Sequence, residues 1–225
     1  MAKETKKTTE MNVDEVVSKT ESFILKNQKT ILGGIAAVII IIAGVMCYKE
    51  FVAEPRETKA AEAMYMAEQQ FKAGNFETAL NGDSLGTVGF ITIADEYSNT
   101  KAGNLATAYA GLSLAQMKKY EEAIGYLNDF SGDDAMIAPA VLGALGNCYA
   151  QLGQDEKAAA TLMKAAEEAD NNSLSPIYLK QAGQLYEKLG KNDQAVKAYK
   201  QIKEKYFQAI QAYDIDKYIE RASIK

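Results

Sequence analysis

Four times along the chain a small residue is followed, twelve positions later, by an alanine: Ala67 and Ala79, Gly111 and Ala123, Gly146 and Ala158, Gly183 and Ala195. The stretches FKAGNFETA, QMKKYEEA, YAQLGQDEKA and YEKLGKNDQA fall into the same register, each placing a polar turn ahead of a second helical segment. Successive small residues stand 44, 35 and 37 positions apart, and the longest interval holds an extra glycine-rich loop, NGDSLGTVG, at Asn81 to Gly89. Recurrence at this period marks stacked supersecondary units. Two antiparallel helices approach closely only where both present small side chains, so the spacing predicts a helical hairpin made four times. Leu145 and Tyr149 flank Gly146, and Leu179 and Tyr186 flank Gly183, as filling between hairpins.

Beyond Ala60 only Pro139 and Pro176 interrupt the helical pattern, and strand-like alternation is scarce. Ser175-Pro176 reads as a helix N-cap followed by proline at the first helical position. Four hairpins meet the need for about three or more stacked units. Ile210, Tyr213, Ile215, Tyr218 and Ile219 then recur at near-helical spacing beside Asp214, Asp216, Lys217, Glu220 and Arg221, which reads as a polar-faced capping helix.

A second feature sets the chain apart from a soluble repeat protein. Ile31 to Cys47, ILGGIAAVIIIIAGVMC, is free of charge and bounded by Lys29 and Lys49. At about 1.5 Å per residue, it and its neighbours Thr30 and Tyr48 approach the thickness of a bilayer's hydrocarbon core. Tyr48 and Phe51 suit an interfacial belt, and Lys26, Lys29 and Lys49 can extend to water. No small-x-small cleavage site follows directly, and Met46 stands before Cys47 where a lipidation signal needs a small residue. The expected organisation is a polar tail over 1–29, a transmembrane helix over 30–49, a linker over 50–59 and a repeat domain over 60–225. Basic residues tie across the span, Lys19, Lys26 and Lys29 against Lys49, Arg56 and Lys59, and the brevity of the tail favours a cytoplasmic N-terminus. The tail opens on the charged stretch MAKETKKTTE and turns faintly amphipathic over Val13, Val16, Val17, Ser18 and Phe23 to Leu25.

Composition narrows the function. The chain has no histidine, which removes imidazole metal sites and every Ser/His/Asp or Cys/His nucleophile. Its two cysteines, Cys47 and Cys148, cannot make a zinc site or a credible internal disulfide. A formal charge of −5 argues against nucleic acid as a partner. The glycine loop at Gly82 to Gly89 lacks the lysine and hydroxyl of a phosphate-binding loop, so it is expected as a flexible connector. Neither Glu167, Glu168 and Asp170 nor Asp133 and Asp134 has the alternating donors of a calcium loop. No cofactor, metal or small-molecule substrate is expected, and the chain is read as a binding protein, not an enzyme.

LGNCYAQLGQDEKAAATLMKAAE, Leu145 to Glu167, and LKQAGQLYEKLGKNDQAVKAYKQI, Leu179 to Ile202, resemble the tetratricopeptide repeat; the first two units resemble it less, and tryptophan is absent. The fold class is therefore read as all-α: a transmembrane helix, a tetratricopeptide-like α-solenoid of about four hairpins and a C-terminal capping helix. As a whole, the order of tail, span and interrupted repeats resembles the bacterial ancillary SecYEG translocon subunit type. That resemblance implies an inner-membrane protein with its repeats in the periplasm, assisting secretion or envelope protein biogenesis beside the secretion channel and chaperones. A cytoplasmic-facing scaffold recruiting a soluble complex and a cell-envelope enzyme remain as alternatives.

In repeat arrays the first helix of each hairpin usually lines the binding surface. Threading the register places Met64, Tyr65, Glu68, Phe71 and Lys72 of the first unit on that surface. Leu112 and Gln116 follow from the second, Asn147 and Gln151 from the third, and Lys180, Gln184 and Lys188 from the fourth. They lack the converging cations that clamp a C-terminal carboxylate.

Overall fold

The structure, a computed structural model, describes residues 13–224, with side chains from residue 21 onward. The charged opening of the expected tail, residues 1–12, lies outside the described residues. Among the described residues the chain is all-α apart from one isolated antiparallel bridge, Gly82 to Val88. Between Pro55 and Arg56 it divides into two units.

The first unit is built on α1 (Val13–Tyr48) and a five-residue π-helix, Lys49–Ala53. Large side chains from Ile31 to Met46 are all exposed, Ile40 by 70% and Ile41 by 65%. α1 is long and apolar enough to cross a membrane, and none of its most apolar stretch is buried in the protein. The π-turn has a local cause. Pro55 has no N–H for the Phe51 carbonyl, and just before it the Glu54 N–H reaches back five residues to the Lys49 carbonyl. Residues 50–59, expected as a linker, are thus helical.

The repeat region follows as α2 (Glu54–Lys72), α3 (Phe76–Asn81), α4 (Phe90–Glu96), α5 (Lys101–Gln116), α6 (Tyr120–Asp129), α7 (Ile137–Gln151), α8 (Asp155–Ala169), α9 (Ser175–Lys188), α10 (Asn192–Lys205) and α11 (Ile215–Ile224). α5/α6, α7/α8 and α9/α10 are full hairpins. Their small residues are small because of what stands sixteen positions later. A Cβ on Gly111 would lie 2.7 Å from Leu127 Cγ, and one on Gly146 2.7 Å from Leu162 Cγ, while one on Gly183 would enter the Tyr199 ring. Leu127, Leu162 and Tyr199 are 2%, 1% and 0% exposed, so they cannot yield by swinging into water. In the first repeat, counted from Ala67, the sixteenth position is Asp83, beyond the end of α3. The second arm is therefore short, and α4 completes the unit with the buried side chains of Phe90 and Ile93.

Each hairpin turn also needs one left-handed residue, always seven positions after the small one: Gly74 (φ 81°), Lys118 (φ 63°), Gly153 (φ 71°) and Gly190 (φ 69°). Only the second unit uses a residue with a Cβ there.

Three readings change in the structure. The loop over 81–89, expected to be flexible, is organised around Asp83. Its Oδ1 accepts from the amides of Leu85 and Thr87, both at 2.9 Å, and its Oδ2 accepts from the Thr87 hydroxyl at 3.0 Å. Ser175 does not cap α9. Its hydroxyl donates to the Ala166 carbonyl of α8 at 2.8 Å and accepts from the Asn171 amide, while Leu174 occupies the cap position. The capping helix forms, but only from Ile215. The preceding segment includes a short 3₁₀ turn, Ile210–Ala212, that leaves Ile210 84% and Tyr213 96% exposed.

At its start the array is fastened by two adjacent residues. Arg56 donates to the Glu96 carbonyl at 2.7 Å, at the end of α4. Glu57 accepts from the amides of Lys101 and Ala102 at 2.8 and 2.9 Å, at the start of α5. A carboxylate there meets free N–H groups and the positive end of the helix dipole. Thr100 caps the same end, accepting from the Gly103 amide at 2.9 Å.

Candidate interaction groove

The first helices of the second, third and fourth units bring together one cleft of about 370 Å³. Leu112, Ala115 and Gln116 of α5 form one wall, Ala144, Asn147, Cys148 and Gln151 of α7 the floor, and Gln181 of α9 the far side, with Tyr120 at one end. α7 and α9 are held close here because Gly143 leaves room for the Tyr178 ring against it. The twelve candidate residues divide accordingly. Leu112, Gln116, Asn147 and Gln151 share this cleft.

The rest are placed differently. Met64 is a core residue, 3% exposed, while Tyr65 is 62% exposed. Phe71 sits in an aromatic cluster, edge-on to Phe76 and Tyr109 with centroids 5.2 Å apart in both pairs, and close to Phe90. Glu68 and Lys72 pair at 3.4 Å beside that cluster. Burial first, and Glu68 second, push the Tyr109 hydroxyl above its ordinary pKa, so it stays neutral.

In the fourth unit Gln184 is exposed, but both lysines are engaged. Lys188 pairs with Asp155 of α8 at 2.7 Å. Lys180 donates to Asp214 at 3.0 Å and lies 4.4 Å from the Tyr218 ring centroid. Burial works against the Lys180 charge, yet Asp214 and Tyr218 outweigh it and hold its pKa above the usual lysine range. Both lysines therefore join helices together. Beside them, Glu187 accepts from the Tyr199 hydroxyl at 2.7 Å and from two Arg221 nitrogens at 2.9 and 2.6 Å, joining α9, α10 and α11.

Gln181 and Tyr120 were not among the residues threaded onto the groove. The column two positions before each small residue, read only in the first unit at Tyr65, also borders the cleft at Ala144 and Gln181. On a helix, positions three apart share a face, so carrying that column into the third and fourth units was available to the same reasoning. Cys148 touches the cleft but is 2% exposed, and burial raises its thiol pKa, which disfavours the reactive thiolate.

Tetratricopeptide repeat models match residues 139–172 and 178–206, which coincide with the α7/α8 and α9/α10 hairpins. No curated protein matches the chain.

Proposed function

We propose that this chain, an all-α protein carrying tetratricopeptide repeats behind a long apolar helix, is a membrane-anchored protein–protein interaction module that assists secretion or envelope protein biogenesis. In this reading α1 spans the bacterial inner membrane once, with the tail in the cytoplasm and the repeat domain in the periplasm. Partners are a secretion channel, chaperones or envelope proteins in transit. The carrying observation is the cleft over α5, α7 and α9, where groove residues from successive units meet on one surface. Repeats of this type present such surfaces to other proteins. Support for the anchor is the uncovered apolar length of α1, which matches the thickness of a bilayer's hydrocarbon core. The cellular setting is carried by the resemblance in architecture.

A photo-crosslinking residue at Asn147 or Gln151, in intact cells, is expected to capture a discrete protein. The same residue at the exposed Lys200 of α10 is the control, expected to capture none. Absence of adducts from both groove positions would end the interaction reading. Protease added to spheroplasts should digest the repeats, whereas protection would favour the cytoplasmic-facing scaffold.

A further inference from the structure

The cleft over α5, α7 and α9 differs from its neighbours in charge. Four other surface cavities each include at least one lysine with an aspartate or glutamate, for example Lys197 and Glu167, or Lys164 and Glu168. Its own lining has no Asp, Glu, Lys or Arg, in a chain where 24% of residues are charged. What converge instead are four carboxamides, Gln116, Asn147, Gln151 and Gln181, drawn from three helices. The Oε1 of Gln181 is buried with no hydrogen-bond partner. Among the described residues the side chains of Gln116, Asn147 and Gln151 make no hydrogen bond to the protein, which leaves their donors and acceptors open to solvent or to a ligand.

A carboxamide presents a donor pair and an acceptor together, the same complement as a peptide unit. It can therefore pair with the N–H and C=O of an extended chain whatever the side chains are. A neutral cleft also discriminates. An ionised side chain entering it would lose water and meet no counter-charge, a cost that a neutral one does not bear. Helices packed side by side stand about 8–10 Å apart, so three first helices span roughly 20 Å, the length of about six extended residues.

Building on the interaction role above, we infer that this cleft holds an extended, uncharged segment of a partner polypeptide by its main chain, and selects it by excluding charge. Its specificity is for an unfolded or strand-like neutral stretch and not for a sequence.

The test uses the full chain in nanodiscs and a fluorescent, end-capped hexapeptide of Ser, Ala and Val, titrated by anisotropy. A scrambled version should bind within about threefold of the parent. Methylating two central amide nitrogens removes two donors and should weaken binding about tenfold. A central Lys or Asp should weaken it about tenfold as well. Asn147→Asp, at an exposed position, should restore the Lys probe relative to the parent and leave the Asp probe excluded. The inference is overturned if the methylated probe binds within twofold of the parent, or if the charged probes bind equally well. It also fails if no probe binds while Asn147 captures a protein in cells, a result that leaves the interaction role standing. Probe binding with the expected pattern, but no adduct in cells, would instead remove the interaction role and keep the chemistry of the cleft.

Discussion

Replacing Gly146 with alanine adds one carbon at a place where the structure leaves no room. The new Cβ would lie 2.7 Å from Leu162 Cγ and 3.1 Å from its Cδ2, and Leu162 is 1% exposed. Overpacking of this kind costs about 1–3 kcal/mol. Against it stands the helix preference of alanine over glycine, about 1 kcal/mol in a helix interior. The single change should therefore range from nearly neutral to destabilising by about 2 kcal/mol, which alone decides little. The double-mutant cycle decides more. Leu162→Ala by itself should cost about 2–5 kcal/mol through the cavity it leaves. In that background Gly146→Ala no longer meets a side chain, so it should become stabilising by up to about 1 kcal/mol. The two effects should then be non-additive by about 1–3 kcal/mol. Urea unfolding of the full chain in detergent, followed by circular dichroism, measures all four corners. Additivity within about 0.5 kcal/mol would mean that the two positions are not in contact, and the sixteen-residue pairing would be wrong.

Lys118→Gly should stabilise the array by about 0.5–1 kcal/mol in the same assay, because a left-handed turn residue with a Cβ is strained and the other three hairpins use glycine. Glu57→Ala should cost about 1–2 kcal/mol by stripping two amides at the start of α5 of their acceptor, with Glu57→Gln intermediate. The carboxyls of Asp83, Asp134, Asp170 and Asp214 are all held below the ordinary aspartate pKa, chiefly by the Thr87 amide, the Ile137 amide, Lys205 and Lys180 respectively. A depressed folded pKa contributes stability above the unfolded value of about 4, and that contribution is lost as pH falls below it. With no histidine in the chain, the unfolding midpoint should stay flat from pH 8 to 5 and fall only below about pH 4. A rise in stability on acidification would contradict this. Lysines placed at Ile39 and Ile41 should cost about 2.5–3.5 kcal/mol each on insertion and release the chain from carbonate-washed membranes.

The repeat register was legible because close packing of two helices imposes a fixed interval on small residues, and an interval is what a sequence displays. Gly146 and Ala158 could be aligned with Gly183 and Ala195 on that ground alone. What the interval did not reveal was the large residue each glycine serves, although Leu127, Leu162 and Tyr199 keep the same spacing. Contacts without periodicity left no trace. Arg56 and Glu57 reach residues forty or more positions away, and a single bond of this kind resembles any surface charge in the sequence. Ser175 looked like a cap because Ser-Pro often begins helices, but a buried carbonyl of α8 claimed its hydroxyl instead. Helix periodicity alone placed Gln116, Asn147 and Gln151 on one surface, and they do line the same cleft. Lys180 and Lys188 share that periodicity, yet ion pairs to Asp214 and Asp155 assign them to holding helices together.

The Glu187–Arg221 pairing has a consequence for how long such an array can become. The end of a helical solenoid is a surface shaped to receive another hairpin, and an uncovered end invites copies to join head to tail into an open filament. Here α11 occupies that surface, with Ile215 and Ala222 each 1% exposed against the last hairpin and Arg221 fastened to Glu187. Lys217 and Glu220 are exposed on α11, while Asp216 accepts from Lys203 of α10 at 2.7 Å and adds a second polar tie. α11 thus takes the place that another hairpin would occupy against α10, and a second copy joining at that face would have to displace it.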